Sequence, residues 1–120
     1  NQVYLKNYKT KDNKTIRTKY RVLQSKNNLS LVGIELLTGR THQIRAHMSY
    51  TRHHVVGDIK YGDYKVNNYF KKEFGFENQF LHSYKLIFGD IKGPFNYLSN
   101  KEFIAELCSE MQELLKKLNN

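Results

Sequence analysis

Alternation and helical spacing divide this 120-residue chain into a small set of elements. From Ile16 to Leu23, the positions Ile16, Thr18, Tyr20 and Val22 alternate with Arg17, Lys19 and Arg21. A period of two sends successive side chains to opposite faces, so this run predicts a half-buried strand with a cationic outer face. Ser25–Asn28 reads as a turn, and Leu29–Leu37 as a second strand with apolar residues on both faces. Two runs joined so briefly predict an antiparallel hairpin. Phe80–Phe88 alternates again, with Phe80, His82, Tyr84, Leu86 and Phe88 set against Leu81, Ser83, Lys85 and Ile87.

Helical signals lie between and after these runs. Thr38-Gly39 breaks the second strand, and Thr41 is the expected N-cap of a helix reaching Tyr50 or Arg52. Ile44 and Met48, four apart, are its expected core face. Val66–Phe74 predicts a short helix ending near Gly75. Ser99–Glu102 has capping-box spacing and opens an expected terminal helix carrying Phe103, Leu107, Met111, Leu114 and Leu118. Val55–Asp58 and residues 95–98 are expected as short strands. Residues 1–14 are polar, with a turn signal at Asp12-Asn13. Strands and helices interspersed in this way define an α+β class, a mainly antiparallel sheet with flanking helices.

Charge adds a direction to this picture. The formal net charge is +9, and all of it sits in the first half: residues 1–60 hold 12 Lys/Arg against 3 Asp/Glu, residues 61–120 hold 8 against 8. A one-sided basic field attracts polyanions. The abundance of Lys, Asn, Tyr and Phe is a compositional bias, but bias alone does not make the two halves differ. The length is that of one ordinary domain. The single Cys108 excludes an internal disulfide and a cysteine zinc site, and fits a reducing, cytoplasmic compartment. No apolar run approaches the roughly 20 residues that span a bilayer, so no membrane partner is expected. The chain begins at Asn1 rather than Met and carries no signal-peptide pattern, which reads as a piece of a longer protein.

The stretch from Gly39 to His47, "GRTHQIRAH", concentrates the candidate chemistry. His42 and His47 are five apart, roughly 140° around a helix, whereas a helical zinc pair stands four apart on one face. No Asp or Glu lies between Glu35 and Asp58, so no metal is expected. Neither Ser49 nor Ser83 sits in a Gly-x-Ser-x-Gly turn, and "GRTHQ" lacks the glycines and Lys-Ser/Thr pair of a phosphate loop. Anion recognition remains. Arg40 and Arg45 lie at the start of a helix after a glycine turn, and His42, Arg45 and Ser49 share one helical face. From the residues alone, a capped helix with solvated arginines stands equally well.

Three blocks carry a resemblance: "LLTGRTHQIRAH", "VVGDIKYG" and "FLHSYKLIF". In that order and at that spacing, they resemble the C-terminal half of the catalytic domain in the RluA/RluC/RluD family of pseudouridine synthases. The likeness covers roughly Thr18 to Phe88 and implies that residues 1–120 are a portion of that domain. It implies isomerisation of uridine to pseudouridine in RNA by one catalytic aspartate without a cofactor. The partner is then RNA, large-subunit ribosomal RNA as the family's usual substrate, with transfer RNA also used.

The resemblance also assigns residues. Arg45, the last arginine of its block, would sit against the catalytic aspartate. A guanidinium there keeps a buried carboxylate ionised. Arg40 would bind RNA phosphate or brace the turn. His42 and Gln43 would either hold the halves of the site together or meet substrate directly. Leu81 would line the uracil pocket. The family's aspartate follows His-Arg-Leu, and none of Asp12, Asp58, Asp63 or Asp90 has that setting. Asp58 matches a family position beside a glycine turn, where a structural role is expected. The chain alone is therefore expected to be inactive, and to self-associate through an exposed sheet edge. Two other readings compete: a basic RNA-binding module without chemistry, and an interaction domain docking through Glu102–Leu118.

Overall fold

The alternation centred on Thr18 and Tyr20 does form a strand, longer than expected. In the computed structural model, which describes the backbone of residues 3–9 and residues 15–119 in full, β1 (Val3–Lys9), β2 (Thr15–Lys26) and β3 (Leu29–Leu36) make a three-stranded sheet in the order β1-β2-β3. Both pairings are antiparallel: Tyr8 faces Ile16 and Val3 faces Arg21, while Thr18 faces Leu36 and Val22 faces Val32. β1 was not anticipated in the polar N-terminal run, and the expected Asp12-Asn13 turn lies outside the described residues. The β2–β3 connection is a two-residue turn. Asn27 and Asn28 take φ of 53° and 65°, the positive values such a turn requires and asparagine tolerates. Ser25 and Ser30 hydroxyls meet across it at 2.8 Å. A register shift between Val22 and Gln24 inserts Leu23 as an extra residue.

The chain divides into two compact units, Asn1–Val55 with Lys60–Gly62, and Val56–Ile59 with Asp63–Asn120. In the first, α1 (Gln43–Tyr50) follows the sheet. Thr41 is not its N-cap. His42 takes that position at φ 50° and makes no side-chain capping bond. The expected core stripe is also displaced: Ile44 and Met48 are only half-buried, while Gln43 and His47 are the buried residues of the helix. The reason is polar. Hydrogen bonds to β2, rather than apolar packing, set the rotation of α1.

In the second unit, α2 (Tyr64–Phe74) forms where a helix was expected and starts two residues earlier, at Tyr64. Asp63 caps it by accepting from the Val66 N–H at 3.0 Å, and Gly75 closes it at φ 67°. Phe70, Phe76, Met111 and Leu114 form the unit's apolar core. Val55–Asp58 is a turn rather than a strand. Gly57 takes φ +83°, its N–H donates to Asn67 Oδ1 at 2.8 Å, and Asn67 Nδ2 donates to the Asp58 carbonyl at 2.9 Å. Asp58 itself is fully buried (0% exposed).

Of the alternating run 80–88, only Lys85–Ile87 pairs, as β4 with β5 (Glu102–Ile104). Residues 95–98 hold a 3₁₀ turn, Asn96–Leu98, instead of a strand. The expected helix from Ser99 does not form there. Phe103 pairs with Leu86, Glu102 ion-pairs with Lys85 at 3.4 Å, and Ser99 Oγ serves Ile91. A non-local strand pairing has overridden a local capping signal. α3 begins at Ser109 and runs to Leu118, burying Met111 and Leu114. Among the described residues, strands, three helices and antiparallel pairing throughout give the α+β class expected.

Candidate functional site

The residues of Gly39–His47 divide between holding α1 and presenting charge. Thr18, on the inner face of β2, is 2% exposed, Gln43 4% and His47 2%. Gln43 and His47 stand four positions apart on the helix, so both meet the same strip of β2. Gln43 is the hub. Its Oε1 accepts from the Arg40 N–H at 3.0 Å and from the Thr38 hydroxyl at 2.8 Å. Its Nε2 donates to the Arg17 carbonyl at 2.9 Å and to Thr18 Oγ1 at 3.2 Å. The Arg40 N–H can only donate and the Arg17 carbonyl can only accept, so the amide has one admissible orientation.

That orientation propagates. Thr18 Oγ1 accepts from Gln43, and its own proton then goes to His47 Nδ1, 2.9 Å away. Were Nδ1 the donor instead, the Thr18 proton would be buried without an acceptor, at a cost of about 1–3 kcal/mol. In this order of bonds His47 Nδ1 is the acceptor. On the other side, Thr38 Oγ1 accepts from the Arg17 N–H at 2.9 Å while donating to Gln43. Among the described residues, no buried side-chain nitrogen or oxygen lacks a partner.

The other helical face gathers on Tyr61. The Arg45 guanidinium carbon lies 5.2 Å from the ring centroid, and Lys60 Nζ lies 5.2 Å from it as well. His42 meets the same ring edge-on, with centroids 5.7 Å apart, and its Nδ1 stands 3.3 Å from the phenol oxygen. The main chain of Tyr61 is held too: its carbonyl accepts from His54 Nδ1 at 2.7 Å. These groups all belong to the first unit.

The expected site residues thus fall in three places. Arg45 and His42 converge on Tyr61, Arg45 half-buried and His42 exposed. Arg40 has an exposed side chain, and its backbone is tied to Gln43. Gln43 is spent on its own chain: all four of its bonds are internal. Leu81 lies in the second unit, half-buried. The outer face of β2 is cationic as expected, with Arg17 and Arg21 exposed and Lys19 facing Glu35 at 3.7 Å. No three His, Cys, Asp or Glu side chains cluster at metal-binding distance among the described residues. No helix of the described residues is long and apolar enough to cross a membrane.

Sequence reasoning passed over Thr18, Thr38 and Tyr61. A hydroxyl at Thr18, in a face otherwise apolar or aromatic, was the available signal for a buried polar network. Tyr61 stood inside "VVGDIKYG" without a role.

Residues 1–50 match the family model described as RNA pseudouridylate synthase. An uncharacterised RNA pseudouridine synthase of Mycoplasma genitalium is 35% identical over 119 residues, 99% of this chain and 35% of the relative. An uncharacterised RNA pseudouridine synthase of Helicobacter pylori is 42% identical over 98 residues, 81% of this chain and 27% of the relative. Ribosomal large subunit pseudouridine synthase D of Zymomonas mobilis is 38% identical over 104 residues, covering 84% and 31%. The chain belongs to the RluA/RluC/RluD family of RNA pseudouridine synthases. It spans about a third of the length of these relatives, 27% to 35%.

Proposed function

We propose that these 120 residues are the C-terminal portion of the catalytic domain of an RNA pseudouridine synthase, and that the whole protein isomerises uridine to pseudouridine in large-subunit ribosomal RNA in the cytoplasm. The ribosomal substrate follows the printed names of relatives such as the Zymomonas mobilis enzyme. The observation that carries the reading is the placement of Arg45: its helix is locked to β2 by a buried amide and imidazole, and its guanidinium is held at Tyr61. Catalysis by one ionised carboxylate needs a cation whose position does not drift. Arg45 serves as the partner of a catalytic aspartate that lies outside this chain. Arg40 and His42, exposed beside it, contact RNA phosphate. Gln43 acts by holding the helix, and Leu81 forms part of the uracil pocket wall. No cofactor or metal takes part.

Arg45→Ala in the full-length protein tests this. Turnover on a large-subunit RNA transcript is expected to fall about 100-fold or more, with RNA affinity nearly unchanged, as for loss of one preorganised electrostatic contact. Weakened binding with turnover intact at saturating RNA would move Arg45 to the phosphate-contacting class. The isolated 120 residues are expected to form no pseudouridine and to self-associate through β1 or β3, the outer strands of their sheet. A monodisperse monomer in light scattering contradicts the second expectation.

A further inference from the structure

We infer that Tyr61 is a positioning residue for Arg45, an aromatic stop that fixes where the guanidinium sits; this rests on the reading of Arg45 given above. The need for such a stop follows from the arginine itself. The Gln43 and His47 bonds fix the backbone of α1 against β2, and so fix the Arg45 Cα–Cβ bond. Beyond it lie the flexible torsions of a long side chain with substantial rotamer entropy. The Tyr61 ring stands 5.2 Å from the charged end and gives it a fixed point there.

Tyr61 is suited to that task in two ways. It is anchored in turn: it is half-buried, and its carbonyl takes the His54 proton at 2.7 Å, tying its loop to the segment after α1. A ring face also attracts a cation without using any N–H donor. The contact therefore does not compete with the paired hydrogen bonds by which a guanidinium grips a carboxylate. Lys60 at the same distance from the ring, and His42 at its edge, place three basic side chains around one phenol. The negative ring face attracts the two cations set over it, Arg45 and Lys60.

The test is a double-mutant cycle in the full-length enzyme, read as kcat and KM separately on a large-subunit RNA transcript. Tyr61→Leu is expected to lower kcat roughly 3- to 30-fold with KM little changed, the range of one cation–π contact. Tyr61→Phe keeps the ring face and is expected to retain kcat within about 3-fold. In an Arg45→Ala background, Tyr61→Leu is expected to cost nothing further, because its effect passes through the guanidinium. Equal losses for Tyr61→Phe and Tyr61→Leu would overturn the role of the ring. So would a full Tyr61→Leu penalty in the Arg45→Ala background, which is how a merely structural tyrosine behaves. If Arg45→Ala alone leaves kcat unchanged, the reading of Arg45 fails first, and the inference about Tyr61 fails with it. The Tyr61→Phe and Arg45→Ala comparisons still decide the matter if Tyr61→Leu does not fold.

Discussion

Replacing Gln43 by leucine removes the hub between α1 and β2 while keeping a side chain of similar size. Four hydrogen bonds disappear: from Arg40 N–H and the Thr38 hydroxyl, and to the Arg17 carbonyl and Thr18 Oγ1. At about 1 kcal/mol net for each bond, the upper figure is roughly 4 kcal/mol. Two of the deserted groups keep other partners. The Arg17 carbonyl still accepts from the Leu37 N–H at 3.2 Å, and Thr18 Oγ1 still meets His47. Arg40 lies in an exposed loop, where water can take over its N–H. The expected destabilisation is therefore about 2–3 kcal/mol. The chain has no tryptophan, so far-UV circular dichroism during urea unfolding is the suitable probe. Gln43→Glu gives the same site a pH signature. Its carboxylate would face the Arg17 carbonyl, which disfavours the charged form and raises its pKa in the folded state. The folded state then binds the extra proton between the ordinary and raised values, so stability falls as pH rises through that window and recovers below it. A cost below about 0.5 kcal/mol for Gln43→Leu, or no pH dependence for Gln43→Glu relative to the parent, would refute the network as the element that holds α1.

Three further outcomes follow from single sites. Gly57→Ala is expected to unfold the second unit or cost more than about 3 kcal/mol in urea titrations, because its Cβ would lie 2.0 Å from the Asn78 carbonyl oxygen at φ +83°. Nitrogen-15 NMR of His47 is expected to show a proton on Nε2 and a bare Nδ1; a protonated Nδ1 would contradict the bond order traced from Gln43. Thr18→Val keeps the shape at a fully packed position but strips the hydroxyl between Gln43 and His47. It is expected to cost about 1–3 kcal/mol by urea unfolding, whereas Thr15→Val on the exposed face of the same strand is expected to be near neutral.

The parts of this fold that were legible are those where local and tertiary signals agree. The β2–β3 hairpin combines alternation with two asparagines able to take positive φ, and α2 combines helical spacing with Asp63 and Gly75 at its ends. Reading failed where a distant segment decided the outcome. Ser99–Glu102 has every local mark of a helix start, yet Glu102–Ile104 is extended because β4 lies ready to pair with it. Val55–Asp58 looks like a strand, but Asn67 and Asn78, ten or more residues on, impose a turn at Gly57. Arg45 stood out as a candidate because its block is distinctive. Tyr61 did not, because it lies sixteen positions and a turn further on, and spacing on one helix says nothing across that gap.

The most consequential misreading concerns α1, and its correction explains how so short a helix can serve a site. Apolar periodicity put Ile44 and Met48 inward, whereas the structure buries Gln43 and His47. Rotating an α-helix by one residue is about 100°, enough to decide which side chains face the sheet and which are presented. A helix of eight residues gains little from propensity, and an apolar stripe of two residues would tolerate rotation and sliding. Directional bonds do not. Gln43 and His47 meet hydrogen-bond partners inside the fold, so their polar groups are buried without the cost of unmade bonds. Arg45 lies two positions from each, on the side that faces Tyr61. The nine residues from Gly39 to His47 are thus two interleaved sets. The buried polar members set the angle of the helix, and that angle decides where the cationic members stand.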